Sequence, residues 1–95
     1  MEDRVQSMAQ KSVRERVAET LLFLHTTFKS ESNLDDSVIS ITLPREDIAN
    51  IVGTATETVI RLLSEFRMAK LIAFEGKKIK ILNKPGLEKI SNASL

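Results

Sequence analysis

Cysteine is absent from this 95-residue chain, and histidine occurs once, as His25. With no thiols there is no disulfide framework and no thiolate zinc site, and a cytoplasmic location is the expectation. A lone histidine without cysteine makes no metal-ligand set, so no metal is expected. His25 falls among Leu21, Leu22, Leu24 and Phe28 on a helical pattern, which predicts a partly buried or edge position. No apolar run approaches the roughly 20 residues of a membrane span, and no leader-like pattern opens the chain, so no membrane partner is expected. Charge of one sign is lacking too. The net charge is only +1, without the strongly basic balance of many DNA-binding proteins. No Ser-His-Asp set, carboxylate pair or glycine-rich phosphate loop occurs, so no catalytic residue and no enzyme is proposed.

What is present is one small domain's worth of chain, 42% hydrophobic, enough for a compact core of modest stability. Charge is unevenly spread. Residues 1–43 hold five Lys or Arg against seven Asp or Glu, whereas residues 44–95 hold nine against six. The small positive excess lies in the second half.

Ser12 and Glu15 have the spacing of a capping box. Val13, Val17, Leu21, Leu24 and Phe28 then recur every three or four residues, one apolar stripe of a helix about four turns long. Leu22 and Phe23 widen the stripe, which predicts cover on more than one side. Residues 30–37 (SESNLDDS) read as a polar loop, with Asp35 and Asp36 solvated. Residues 38–43 (VISITL) are β-branched and partly alternating, the pattern of a short strand.

Residues 43–82 carry the most information. They read LPREDIANIVGTATETVIRLLSEFRMAKLIAFEGKKIKIL. Pro44 suits the first turn of a helix, where a missing N–H costs nothing. Ile48, Ala49 and Val52 face inward on that helix, and Gly53 ends it. Thr54 and Glu57 form a second possible capping box, opening a helix that runs to about Met68. Val59, Leu62, Leu63 and Phe66 form its buried face. About three residues join the two helices, which demands a tight crossing, and Ala49 is small where they approach. Residues 71–74 and 77–82 read as two strands around Glu75-Gly76, a hairpin. Lys84-Pro85-Gly86 breaks the chain, and residues 87–90 add one short helix.

This order is a helix-turn-helix followed by a wing: three core helices and a β-hairpin, mainly α with a small antiparallel sheet. Such a device places one helix in the major groove of double-stranded DNA. With Val59, Leu62 and Leu63 inward, Thr56, Glu57, Ile60, Arg61 and Ser64 point outward. Glu57 and Arg61, four apart, share a face. In a groove the carboxylate accepts from cytosine N4, the guanidinium forks onto guanine, and Ile60 touches a thymine methyl. In isolation the same two residues are an ordinary exposed ion pair. Lys77, Lys78 and Lys80 fit two roles equally: a solvated strand edge, or a wing resting on phosphates. The competing functional reading is a winged-helix module that binds protein without DNA.

Residues 12–92 resemble the C-terminal DNA-binding domain of the Crp–Fnr transcription regulators. SVRERVAETLL, LPREDIANIVG with ETVIRLL, and LIAFEGKKIKIL carry the resemblance, above all the E-T-x-x-R element at Glu57–Arg61. It implies base contacts from Glu57 and Arg61, with Thr56 and Ile60 beside them. It also implies phosphate contacts from Arg45, Thr58 and Lys77, to which Thr54 and Ser64 are added. The catabolite-activator branch has an arginine where Thr56 stands, and the fumarate–nitrate branch a small polar residue at Ile60. The preferred site is therefore expected to differ from both. Ala55 occupies a position where the family often has a Ser or Thr cap, a role that then falls to Thr54. Residues 1–11 resemble the end of a dimerisation or linker helix, with Val5 and Met8 as its apolar positions, and residues 12–95 the winged domain. The family's effector-binding domain is absent, so the chain resembles an excised domain or a truncated regulator. No cofactor is expected here. A homodimer is expected of the full-length protein, with RNA polymerase as a further partner.

Overall fold

The computed structural model describes residues 11–32 and 39–93. Val5 and Met8, most of the acidic loop, and residue 38 lie outside them. The elements run α1 (Val13–Ser32), α2 (Arg45–Val52), α3 (Thr56–Met68), β1 (Ile72–Glu75), β2 (Lys78–Ile81) and α4 (Lys84–Ser91). No described helix is long and apolar enough to cross a membrane.

α1 opens on the capping box that its sequence predicts. The Glu15 backbone N–H donates to Ser12 Oγ at 3.2 Å, and the Ser12 N–H donates to the Glu15 carboxylate at 2.7 Å. Val17, Ala18, Leu21 and Leu24 are buried along one stripe, and Val13 and Phe28 flank it. Leu22 is partly buried against the same core, but Phe23 is 65% exposed. The expected second covered side therefore stops at Leu22, because no described element lies over Phe23. His25 is 3% exposed, deeper than an edge position, and its Nδ1 has no hydrogen-bond partner.

The predicted strand at residues 38–43 contracts to a single antiparallel bridge. Ile41 exchanges backbone hydrogen bonds of 2.7 and 3.0 Å with Ile79. Shortly after Ile41, Pro44 turns the chain into α2, so the ladder cannot lengthen in that direction. Pro44 is the N-cap of α2, just before the first turn, and its carbonyl accepts from Ile48.

The turn between α2 and α3 is three residues long. Gly53 adopts φ 84°, and both its N–H and that of Thr54 donate to Ala49. Arg16 on α1 donates to the Val52 carbonyl at 3.2 Å, satisfying another open acceptor at the same helix end. The predicted Thr54 cap does not form. Ala55 is the N-cap, with φ −74° and ψ 148°, and no side chain caps the helix. Thr54 sits one residue too early to reach the first free N–H groups of α3.

β1 and β2 pair with Ile72 opposite Ile81 and Glu75 opposite Lys78. The turn is Gly76-Lys77, one residue later than the sequence suggests. Gly76 has φ 63°, which suits the first central position of a two-residue hairpin turn. Lys84-Pro85-Gly86 does not break the chain but opens α4, giving four helices among the described residues. Pro85 lies within the first turn, where its missing donor is harmless, and the Asn83 side chain accepts from the Gly86 N–H at 3.0 Å. A Cβ on Gly86 would approach Leu71 Cδ2 to 2.6 Å, so any larger residue there has to displace the Leu71 side chain.

One core unites all elements. Leu21, Ile41, Ile48, Val59, Leu63, Phe66, Ile72, Ile79 and Leu87 are essentially inaccessible to solvent. Gly53 has nothing within 4 Å of an added Cβ, so only its backbone conformation resists substitution. Gly53→Ala is expected to lower stability by about 1–2 kcal/mol, and Gly53→Asn by less, because asparagine tolerates the left-handed region. Urea unfolding of both variants checks this. A larger loss for asparagine than for alanine would remove the backbone explanation.

Candidate nucleic-acid interface

α3 has two faces with different fates. Val59, Leu62, Leu63 and Phe66 are buried, while Glu57, Ile60 and Arg61 stand exposed on the opposite side. Ile60 is 50% exposed. A half-exposed isoleucine between a glutamate and an arginine gains little from water. Thr56 and Ser64 are half-buried at the margins of this face, as are Thr58 and, in the turn, Thr54. None of these four hydroxyls has a side-chain hydrogen bond among the described residues, so all remain available to an external acceptor.

The alternative of an ordinary Glu57–Arg61 ion pair is not realised. Arg61 Nη1 instead donates to Glu65 at 2.9 Å, one turn further along α3. Glu65 also faces Arg14 of α1 at 3.6 Å, and Arg14 lies over the Phe66 ring at 5.3 Å. Glu65 is thus drawn toward the α1 side, and Arg61 follows it. Glu57 remains without a side-chain partner among the described residues, in the first turn of α3, where the helix dipole favours a carboxylate. The Arg61–Glu65 pair is exposed at both ends and is worth only about 0.3–0.5 kcal/mol. That is less than the roughly 1–3 kcal/mol of a good bidentate base contact, so the pair is weak enough to be exchanged for one.

Arg45 and Lys77 are brought together across 32 residues of chain. Arg45 Nη1 donates to the Lys77 carbonyl at 2.9 Å, joining the start of α2 to the tip of the hairpin. The Lys77 and Lys78 side chains are exposed, whereas Lys80 is partly buried and pairs with Glu75 at 3.5 Å. Of the three lysines, two are therefore free for an external anion and one is occupied within the hairpin. The sequence pattern does not single out Phe74. Its ring carries Arg45 at 4.9 Å and Arg67 at 5.1 Å from its centroid. Periodicity gives no sign of such a stack, because the three residues come from three elements.

These features define a winged helix with one helix presented outward and a basic hairpin beside it. The Crp-like helix-turn-helix domain model matches residues 15–90, most of the chain. The chain is 33% identical over 87 residues to the fumarate and nitrate reduction regulatory protein of Vibrio cholerae, covering 92% of this chain and 34% of that protein. It is 33% identical over 76 residues to the transcriptional activator protein Anr of Pseudomonas protegens, covering 80% of this chain and 31% of that protein. A CRP-family transcriptional regulator of Thermus thermophilus superposes with TM-score 0.74 at 27% identity, over 93% of this chain and 44% of that one. FixK2 of Bradyrhizobium japonicum gives TM-score 0.73 at 27% identity, over 94% and 43%. The chain belongs to the Crp-like helix-turn-helix family and carries the DNA-binding domain of a Crp–Fnr-type transcription regulator. It spans about a third of the length of the curated relatives it matches.

Glu65 holds Arg61 in an ion pair and places a negative charge beside the exposed face of α3. Glu65→Ala is expected to raise DNA affinity by about two- to fivefold, while stability changes by less than about 1 kcal/mol. Fluorescence anisotropy and urea unfolding measure the two quantities. A fall in affinity would instead make Glu65 a residue that orients Arg61 for binding.

Proposed function

We propose that α3 enters the major groove and reads sequence there, as one half of a two-fold site. The observation that carries this reading is the outward face of α3. Glu57, Ile60 and Arg61 stand exposed directly opposite the stripe that anchors the helix in the core. Thr56, Glu57, Ile60 and Arg61 then meet base edges, with Ile60 against a thymine methyl. Arg45, Thr54, Thr58, Ser64 and Lys77 meet phosphates and set the register. Thr56 and Ile60 make the preferred site differ from those of the two best-known branches of the family.

Several further elements belong to the same proposal. The full-length regulator acts in the cytoplasm as a homodimer, and it contacts RNA polymerase when bound. Any effector is held by a domain other than this one, which itself takes no cofactor. The alternative of a protein-binding winged helix has one observation in its favour. Phe23 and Ile51 are exposed beside a groove of about 360 Å³ between α1 and α2. Selection of bound sites from random DNA separates the two readings, since a protein-only module enriches nothing.

Arg61→Ala is expected to cost about 1–3 kcal/mol on the selected site and to relax preference at one base pair. Lys77→Ala weakens all sequences alike and makes the salt dependence shallower by about one unit. Titrations of both variants against selected and random duplexes over a range of salt check this. An equal loss from Arg61→Ala on every sequence would place α3 differently in the groove.

A single domain engages one half-site and binds weakly. Fusion to a dimerising helix is expected to raise affinity for a palindromic site by about 10²-fold or more, through effective concentration alone. Half-sites one helical turn apart fit a two-fold pair of such domains. No gain for the fusion over the monomer on any palindrome would sink the two-fold model.

A further inference from the structure

The Phe74 ring carries two arginines that have no carboxylate to answer them. The Arg45 guanidinium carbon lies 4.9 Å from the ring centroid and that of Arg67 lies 5.1 Å from it. The two charges are therefore within about 10 Å of each other, close enough to repel. Neither forms an ion pair among the described residues. The one side-chain hydrogen bond of Arg45 goes to a backbone carbonyl, that of Lys77. Glu75, next to the ring, is committed to Lys80. Glu46 and Asp47 share the first turn of α2 with Arg45 but pair with neither arginine. Lys77 and Lys78 add two more exposed charges at the hairpin tip.

The geometry points to a phosphate clamp at the base of the wing, formed by Arg45 and Arg67 held over the Phe74 ring. This rests on the DNA-binding mode proposed above and adds two residues to it. Arg67 becomes a backbone contact, and Phe74 becomes a positioning residue for both guanidiniums. A ring face orients a planar guanidinium while leaving its N–H edge free, and that edge matches a phosphate bidentately. Arg45 and Lys77 belong to the same cluster, so the phosphate they meet lies beside Arg67 as well. Two forks no more than about 10 Å apart can share one phosphate or take two successive ones on a strand. Bound DNA also removes the repulsion that the free protein carries. The plainer role for Arg67 is a cation in the last turn of α3, where the helix dipole favours positive charge.

Salt-dependent binding of the whole chain separates these roles. Arg67→Ala is expected to weaken binding to selected and random duplexes alike, by about three- to tenfold near 0.1 M salt. The slope of log affinity against log salt becomes shallower by about 0.9, one phosphate's worth. Arg67→Lys keeps the slope but recovers only part of the affinity. Phe74→Leu, which still fills the half-buried site, weakens both duplexes. In the Arg67→Ala background it costs clearly less, because its effect passes through the arginines. The melting temperature of Arg67→Ala stays at or above that of the wild type. A lowered melting temperature with an unchanged salt slope makes Arg67 a structural helix-end charge and overturns the clamp. Additive effects of the two substitutions overturn the role of Phe74. If the wild-type chain binds DNA and Arg61→Ala loses sequence preference while Arg67→Ala leaves the slope intact, only the clamp falls. If the wild-type chain binds no DNA, both readings fall together.

Discussion

Burial of Val59, Leu62, Leu63 and Phe66 fixes which way α3 faces, and the rest of the domain is arranged around that orientation. Phe66 and Val59 are wholly inaccessible and Leu63 nearly so. Each such side chain contributes about 1.5–3 kcal/mol relative to exposure, so rolling α3 by half a turn is prohibitive. The opposite face is then presented outward with the same rigidity. Ile48, Ala49 and Val52 of α2 close the core on one flank, and the α1 stripe closes it on another. A helix used to read a groove needs this stiffness, because base contacts are lost with small misplacements.

The turn at Gly53 and the hairpin solve two positioning problems by different means. Gly53 takes a backbone conformation closed to most residues and thereby joins two helices within three residues. The wing is held from outside. Ile79 bridges to Ile41, and the Arg45 side chain reaches across to the Lys77 carbonyl. The hairpin tip and the start of α2 are therefore tied directly to each other. A two-stranded hairpin alone is marginal in water, so these cross-links are what make it a dependable surface.

Electrostatics in this domain is local, in keeping with a net charge of +1. Cations collect where α2, α3 and the hairpin meet, and two carboxylates of α3 and the hairpin are committed to other partners. Glu75 answers Lys80, and Glu65 answers Arg61 and Arg14. The exposed pairs are weak enough to be exchanged for stronger contacts on binding. Relatives such as the Vibrio cholerae regulator share about a third of their length with the chain. That shared part closes a core of its own, to which every described helix and both strands contribute.

The sequence by itself determined the succession of helix-turn-helix and hairpin, the main apolar stripes of the first three helices and the outward face of α3. Those follow from hydrophobic spacing, which each helix expresses locally. The Ser12–Glu15 cap and the ends at Pro44 and Gly53 were equally legible, since caps and turns are short-range chemistry. Tertiary structure decided the rest. Arg61 had two acidic neighbours at helical spacing, Glu57 and Glu65, and the folded domain pairs it with Glu65, which Arg14 of α1 also approaches. Residues 38–43 had strand character, but a strand needs a partner of matching length, and the turn at Pro44 left a single bridge. Pro85 and Gly86 looked like a break until Asn83 capped them and Leu71 packed against the glycine. Phe74 gained its two arginines only when α2, α3 and β1 converged. A local pattern records what a residue does within its own element, whereas these pairings depend on distances between elements, and those exist only once the core has closed.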